Sequence, residues 1–205
     1  MSYIDEVKSV KISLKEVNSD LICFGVYKDK SMTPLGNEID ENLKQVIDSA
    51  IEVGDIKGKN GEVNFFYVND HRYALIGLGE KENIDSNSIR LATGSAIRAA
   101  ISKKAKTVTL DCFCSELDSC QAMGEGAVLG SYQFLEYKTN HKNHFEIKEV
   151  SILGSNKEQL DKGVAIGKAI CFARDLGNHP GNTATPTFLA KAAEEIASVE
   201  EMTLK

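Results

Sequence analysis

Residues 173–186 read ARDLGNHPGNTATP. Before this stretch, Leu160, Val164 and Cys171 recur at helical spacing, so a helix is expected over Asn156–Leu176. Ile166, Ile170 and Ala173 form a second apolar side, and this width predicts burial on more than one face. Pro180 and Gly181 interrupt the pattern. Thr185 then stands as a cap with Pro186 in the first turn, the order that opens a new helix. Leu189, Ala192, Ala193 and Ile196 give that helix a narrow apolar stripe needing a partner surface, and Met202 and Leu204 alternate like the start of a strand. The expectation is a finished domain joined through an elbow to the opening of a second one.

Working back toward the N-terminus, the apolar period switches repeatedly between two and 3.6, which marks an α/β protein. Strands are expected at Val7–Leu14, Leu21–Tyr27, Val63–Val68, Tyr73–Leu78, Thr107–Cys112 and Ile147–Leu153. Helices are expected from an Asn37 cap to Gly54, over Ser88–Lys103 and near Ser119–Leu135. The polar Asn69-Asp70-His71-Arg72 turn predicts a hairpin, hence a mixed sheet in a three-layer α/β/α domain. The expected divisions are 1–155 for this domain, 156–180 for the linker helix and elbow, and 181–205 for the start of the next unit.

Composition narrows the function. A net charge of −6 disfavours nucleic-acid binding, which needs clustered Lys and Arg. No apolar run reaches the roughly 20 residues of a membrane span; the best, Gly163–Ala173, is cut by Lys168. The opening MSYIDEVKSV lacks the basic start and apolar stretch of a secretory signal. A cytoplasmic protein with its five cysteines reduced is expected.

Catalytic motifs are not found. Gly77-Leu78-Gly79 follows a strand, but Glu80 and Glu82 put acid where a phosphate would need donors, so a plain turn is expected. Gly124, Gly126, Gly130, Gly163 and Gly167 fall in helix patterns and predict close helix packing. Cys112, Cys114 and Cys120 could imitate half a zinc site, but their spacing is unusual and no second pair completes it. His141 and His144 read as a solvated loop with sparse acids nearby; His71 reads as a hairpin-turn residue and His179 as an elbow residue, neither with an obvious acid partner at short range. Arg174 and Asp175 read as interdomain or capping groups. No catalytic, metal-binding or cofactor-binding residue is assigned.

The 173–186 stretch closely resembles the junction motif of the leucyl (cytosol) aminopeptidases, in which Arg-x-Leu-x-Asn-x-Pro-x-Asn precedes a Thr-Pro helix start. The matching positions are Arg174, Leu176, Asn178, Pro180, Asn182, Thr185 and Pro186. ALIGLG at Ala74–Gly79 and EGAVLGSYQFLEYK at Glu125–Lys138 resemble two further segments of that family, in the same order. The resemblance implies a macro-domain-like N-terminal domain joined by a long helix to a catalytic domain. That catalytic domain would bind two divalent metals, zinc, manganese or magnesium, and remove N-terminal residues, often leucine, from peptides. It also implies a hexamer. The family's Asn-Thr-Asp-Ala-Glu-Gly-Arg signature does not occur here, so no catalytic residue carries over. What carries over is an interdomain elbow of Arg174, Asn178, Pro180, Asn182, Thr185 and Pro186, while Gly177 and His179 fall at variable positions. The chain itself is expected to serve assembly, access control or partner binding, its own catalytic domain being the first partner. The alternative is a freestanding macro-like module binding ADP-ribose or a related nucleotide.

Overall fold

A computed structural model of the chain describes residues 3–113, 117–139 and 144–199. Its centre is a six-stranded mixed sheet of β1 (Val7–Val10), β2 (Leu21–Tyr27), β3 (Val63–Val68), β4 (His71–Gly79), β5 (Thr107–Leu110) and β6 (Glu149–Leu153), in the order β1-β6-β5-β2-β4-β3. Every pairing is parallel except β3 with β4. All seven residues of β2 are buried, as a central strand covered on both faces requires. Its alternation divides the interior. Leu21, Cys23 and Tyr27 enter one core with α2 (Ser86–Ser102), α3 (Leu117–Ser131) and α4 (Lys157–Asn178). Ile22, Phe24 and Val26 enter the other, with Leu43 and Ile47 of α1 (Glu41–Glu52). The layers are therefore α/β/α.

The hairpin turn is tighter than the four residues expected from sequence. Only Asn69 and Asp70 lie between the strands, with φ of 52° and 62°, the left-handed pair that matches strand twist. His71 is thus the first residue of β4, paired with Val68. Other boundaries also shift. β1 ends at Val10, and a short helical turn follows at Leu14–Glu16, where the Ser13 N–H donates to Glu16 at 2.9 Å. α1 is capped by Asp40, whose Oδ1 accepts the Leu43 N–H at 2.9 Å, whereas Asn37 ends a separate turn at Pro34–Asn37. α3 stops at Ser131, whose hydroxyl donates to the Val128 carbonyl and accepts the Ile4 N–H.

The expected close packing of glycines is what holds the helical layer together. A Cβ on Gly130 would lie 2.7 Å from the Gly94 Cα, and one on Gly126 would lie 2.6 Å from the Arg90 carbonyl oxygen. On the opposite side of α3, a Cβ on Gly124 would lie 2.5 Å from the Leu160 carbonyl oxygen, and one on Gly163 would run into the Gln121 carbonyl. α3 is thus pressed backbone to backbone against α2 and α4. In the α2–α3 groove, buried Glu125 accepts from Arg90 at 2.6 Å and from Gln121 at 2.9 Å.

Asp111 ties the two sides of the sheet's carboxyl end. It lies just past β5, is 4% exposed, and its Oδ2 accepts the Leu35 N–H at 2.7 Å. Burial holds this carboxyl above its ordinary 3.8, and hydrogen bonds from Thr33, Leu35 and Cys112 oppose the rise.

Two outcomes follow from these contacts. Gly163→Ala should lower stability by about 3 kcal/mol, the upper range for overpacking, because the opposing atom is backbone and cannot rotate away. Thermal denaturation would register this as a fall of about 6–12 °C. For Asp111, the folded state holds the carboxyl proton more tightly than the unfolded chain does. Its contribution is therefore fullest below 3.8 and is lost as pH rises through the raised value. Urea midpoints across the acid range should show wild type losing ground to Asp111→Asn as pH increases; parallel curves would contradict the assignment.

Candidate functional site

α4 is capped by Asn156, whose side chain accepts the Gln159 N–H at 3.1 Å, and runs from Lys157 to Asn178. One face is buried: Leu160, Gly163, Val164, Gly167, Cys171 and Asp175. The second apolar side is not. Ile166 is half-buried, Ile170 is 36% exposed and Ala173 is exposed, so among the described residues only one side is fully buried.

Pro180 terminates the helix by disfavouring helical geometry at the residue before it, and His179 is extended at φ −69°, ψ 138°. The Pro180 carbonyl then accepts the Thr183 and Ala184 N–H groups at 2.8 and 2.9 Å, folding the chain back. Thr185 opens α5 (Pro186–Val199). Its Oγ1 accepts the Phe188 N–H at 3.3 Å and its carbonyl accepts the Leu189 N–H at 3.0 Å. Pro186 occupies the first position, where its missing N–H costs nothing.

The elbow is braced from the segment after α3. The Tyr132 hydroxyl donates to Asp175 Oδ1 at 2.8 Å and accepts from Asn178 Nδ2 at 2.9 Å. The Arg174 guanidinium lies 5.7 Å from the centre of the Tyr132 ring. Of the six residues named from sequence, Arg174 and Asn178 contact Tyr132, Pro180 follows the helix end and Thr185 caps α5. Pro186 supplies the first turn. Asn182 is exposed, and among the described residues its side chain makes no hydrogen bond.

Two elbow residues carry more than sequence suggests. Asp175, expected to be an interdomain or capping group, is 1% exposed and is held by Tyr132; its Oδ2 has no partner among the described residues. His179 is a hub. Its Nδ1 is 2.7 Å from the Tyr137 hydroxyl, and its ring meets Phe134, Tyr137 and Phe188 edge-on at 5.2–5.8 Å between centres. The signal was present in Phe134, Tyr137 and Phe188, but only the fold brings them together. Gly177, by contrast, has open space around it.

The remaining candidates are dispersed. Gly77, Leu78 and Gly79 end β4 instead of forming the expected turn, and the Gly77 and Gly79 N–H groups, which donate to the Glu62 and Gly58 carbonyls, are not free for a phosphate. Glu80 pairs with Lys28 at 2.8 Å. His144 contacts Glu146, two residues on, at 2.8 Å, an acid partner that the reading of a solvated loop passed over, while His141 and Cys114 lie outside the described residues. Among the described residues, no group of three or more His, Cys, Asp or Glu side chains could hold a metal ion. No helix among them is long and apolar enough to cross a membrane. A cleft of about 930 Å³ opens at the carboxyl ends of β2, β5 and β6, lined by Tyr27, Leu35, Asp111, Cys112, Phe113 and Cys120 among others.

The same architecture occurs in known proteins. A tomato leucine aminopeptidase mutant, K354E, matches with a TM-score of 0.79 at 22% identity, over 97% of this chain and 43% of that one. The bottromycin maturation enzyme BotP, in complex with Mn, matches with a TM-score of 0.71 at 24% identity, over 89% and 37%. In sequence, a probable cytosol aminopeptidase of Alkaliphilus metalliredigens is 30% identical over 217 residues, covering 97% of this chain and 43% of that protein. The chain therefore spans less than half the length of these relatives. Residues 23–141 match the model of the cytosol aminopeptidase family, N-terminal domain. With that match over more than half its length, the chain belongs to the cytosol aminopeptidase family and carries its N-terminal domain.

Proposed function

We propose that this chain is a non-catalytic scaffold that orients a peptidase domain lying beyond it in sequence. The observation that carries the proposal is the braced elbow. Tyr132, Asp175 and Asn178 fix the end of α4, and the His179 cluster fixes the start of α5. α5 then presents Leu189 and Ile196, 44% and 45% exposed, as surface for a further domain. Residues 1–155 form the first domain on this reading, 156–180 the linker helix and elbow, and 181–205 the start of the catalytic domain.

The whole protein would remove N-terminal residues, often leucine, from peptides with two divalent metals, manganese or zinc. The described residues do not fit such a centre, because no cluster of donors is placed to hold one. The metals, and the chemistry of activating water and stabilising the developing oxyanion, belong to the domain beyond. Assembly into a hexamer and a cytoplasmic location are part of the same proposal. The location is supported by the relatives' description as cytosol aminopeptidases, and the hexamer rests on the family resemblance alone. Within the assembly, this domain would govern access to the peptidase site or bind partners.

This chain, incubated with leucine p-nitroanilide and manganese, should release no p-nitroaniline above buffer. Metal-dependent release that persists through purification to constant specific activity would overturn the scaffold reading. The brace is tested separately. Tyr132→Phe removes the donor to buried Asp175 and should cost about 2 kcal/mol, the range for leaving a buried acceptor unmet. The urea midpoint should fall with the slope unchanged; an unshifted midpoint would show that the elbow is not held this way.

A further inference from the structure

The cysteine triplet noticed in the sequence leaves two described sulfurs close together. Cys112 lies two residues past β5 and is partly exposed, and Cys120 lies in the first turn of α3 and is 4% exposed. Their Sγ atoms are 3.9 Å apart, and both residues line the cleft at the strand ends. A disulfide needs about 2.05 Å between sulfurs, so about 2 Å of closure would suffice. Eight positions separate them in sequence.

The other two described cysteines have a different setting. Cys23 and Cys171 are buried in the core, and burial pushes both thiols up, away from the reactive thiolate. Cys120 has a structural role as well. Its sulfur accepts the Asn156 N–H at 3.2 Å, and Asn156 is the residue that caps α4.

We propose that Cys112 and Cys120 form a reversible thiol–disulfide pair that reacts with low-molecular-weight disulfides entering the strand-end cleft. Cys112, the more exposed sulfur, attacks as the thiolate on one sulfur of the small disulfide. That S–S bond breaks, a mixed disulfide forms at Cys112, and one small thiolate leaves and takes up a proton. Cys120 then loses its proton and attacks Cys112 Sγ, forming the protein disulfide and expelling the second small thiol. The protein gives up two hydrogens with their electrons, and the small disulfide is reduced to two thiols. Closing the bond draws the Cys120 sulfur away from Asn156. Oxidation in the cleft is thereby transmitted to the first turn of α4, the helix that carries the elbow.

The test treats the full chain with glutathione disulfide, blocks remaining thiols with N-ethylmaleimide, and cleaves after glutamate. Cleavage after Glu116 separates Cys120 from Cys112 and Cys114. The expected result is loss of two of the five thiols, with a Cys120 peptide joined to the Cys112 peptide. The link should persist in Cys114→Ser, vanish in Cys112→Ser and Cys120→Ser, and open with dithiothreitol. Circular dichroism verifies that each variant is folded; Cys112, being partly exposed, is the variant least able to disturb the core. Hydrogen exchange at the Asn156 amide should be faster in the oxidised chain. Retention of all five thiols, a stable glutathione adduct at Cys112, or a bond that requires Cys114 would each overturn the pair. Unchanged exchange at Asn156 would overturn its coupling to α4.

Discussion

Everything on the helical face of the sheet depends on how closely α3 approaches its two neighbours. Its position is set by backbone meeting backbone: Gly130 against Gly94, Gly126 against the Arg90 carbonyl, Gly124 against Leu160 and Gly163 against Gln121. Contacts between backbones leave little room for rearrangement, because no flexible side chain lies between them to absorb a shift. α3 also holds Ala122, Met123, Ala127 and Val128 against the sheet. A change in its spacing would therefore propagate into the core and outward to α4 together.

That constraint reaches the elbow through Tyr132. This residue immediately follows α3, so the rigid α3–α4 contact places its hydroxyl over Asp175 and Asn178, nearly one helix length from the Asn156 cap. A 22-residue helix on its own would transmit direction poorly at a frayed end. Fastened at its cap, along its glycine face and at Tyr132, α4 behaves as a strut. The His179 cluster then carries the fixed direction over Pro180 to Phe188 of α5.

Much of this was legible in the chain because the signals are local. The switch of apolar period marked the six strands and α1 to α5, though not the short turns at Leu14–Glu16 and Pro34–Asn37, and Pro180 with Thr185-Pro186 marked the elbow. Glycine spacing announced the helix contacts. What could not be read were relations between distant residues: Tyr137 with His179, 42 positions apart, or Tyr132 with Asp175, 43 positions apart. Nor could one sequence decide between competing caps, so Asn37 stood in for Asp40. The second apolar side of α4 was legible as a pattern, but its exposure was not. Ile170 is exposed among the described residues.

The strand-end cleft and the elbow look like separate features, but they lie at the two ends of one helix. Cys120 touches the residue that caps α4, and Asp175 and Asn178 lie in its last turn. At the sheet, the cleft wall is fixed by Asp111, whose carboxylate joins the loop after β5 to the Pro34 turn beside β2. The wall is therefore fixed on the side of Leu35. A change at the sulfurs has one stiff neighbour and one helix to act upon, so α4 is the element that must respond. Because the far end of α4 is gripped by Tyr132, that response appears as strain or loosening in the first turn, not as a swing of the whole strut.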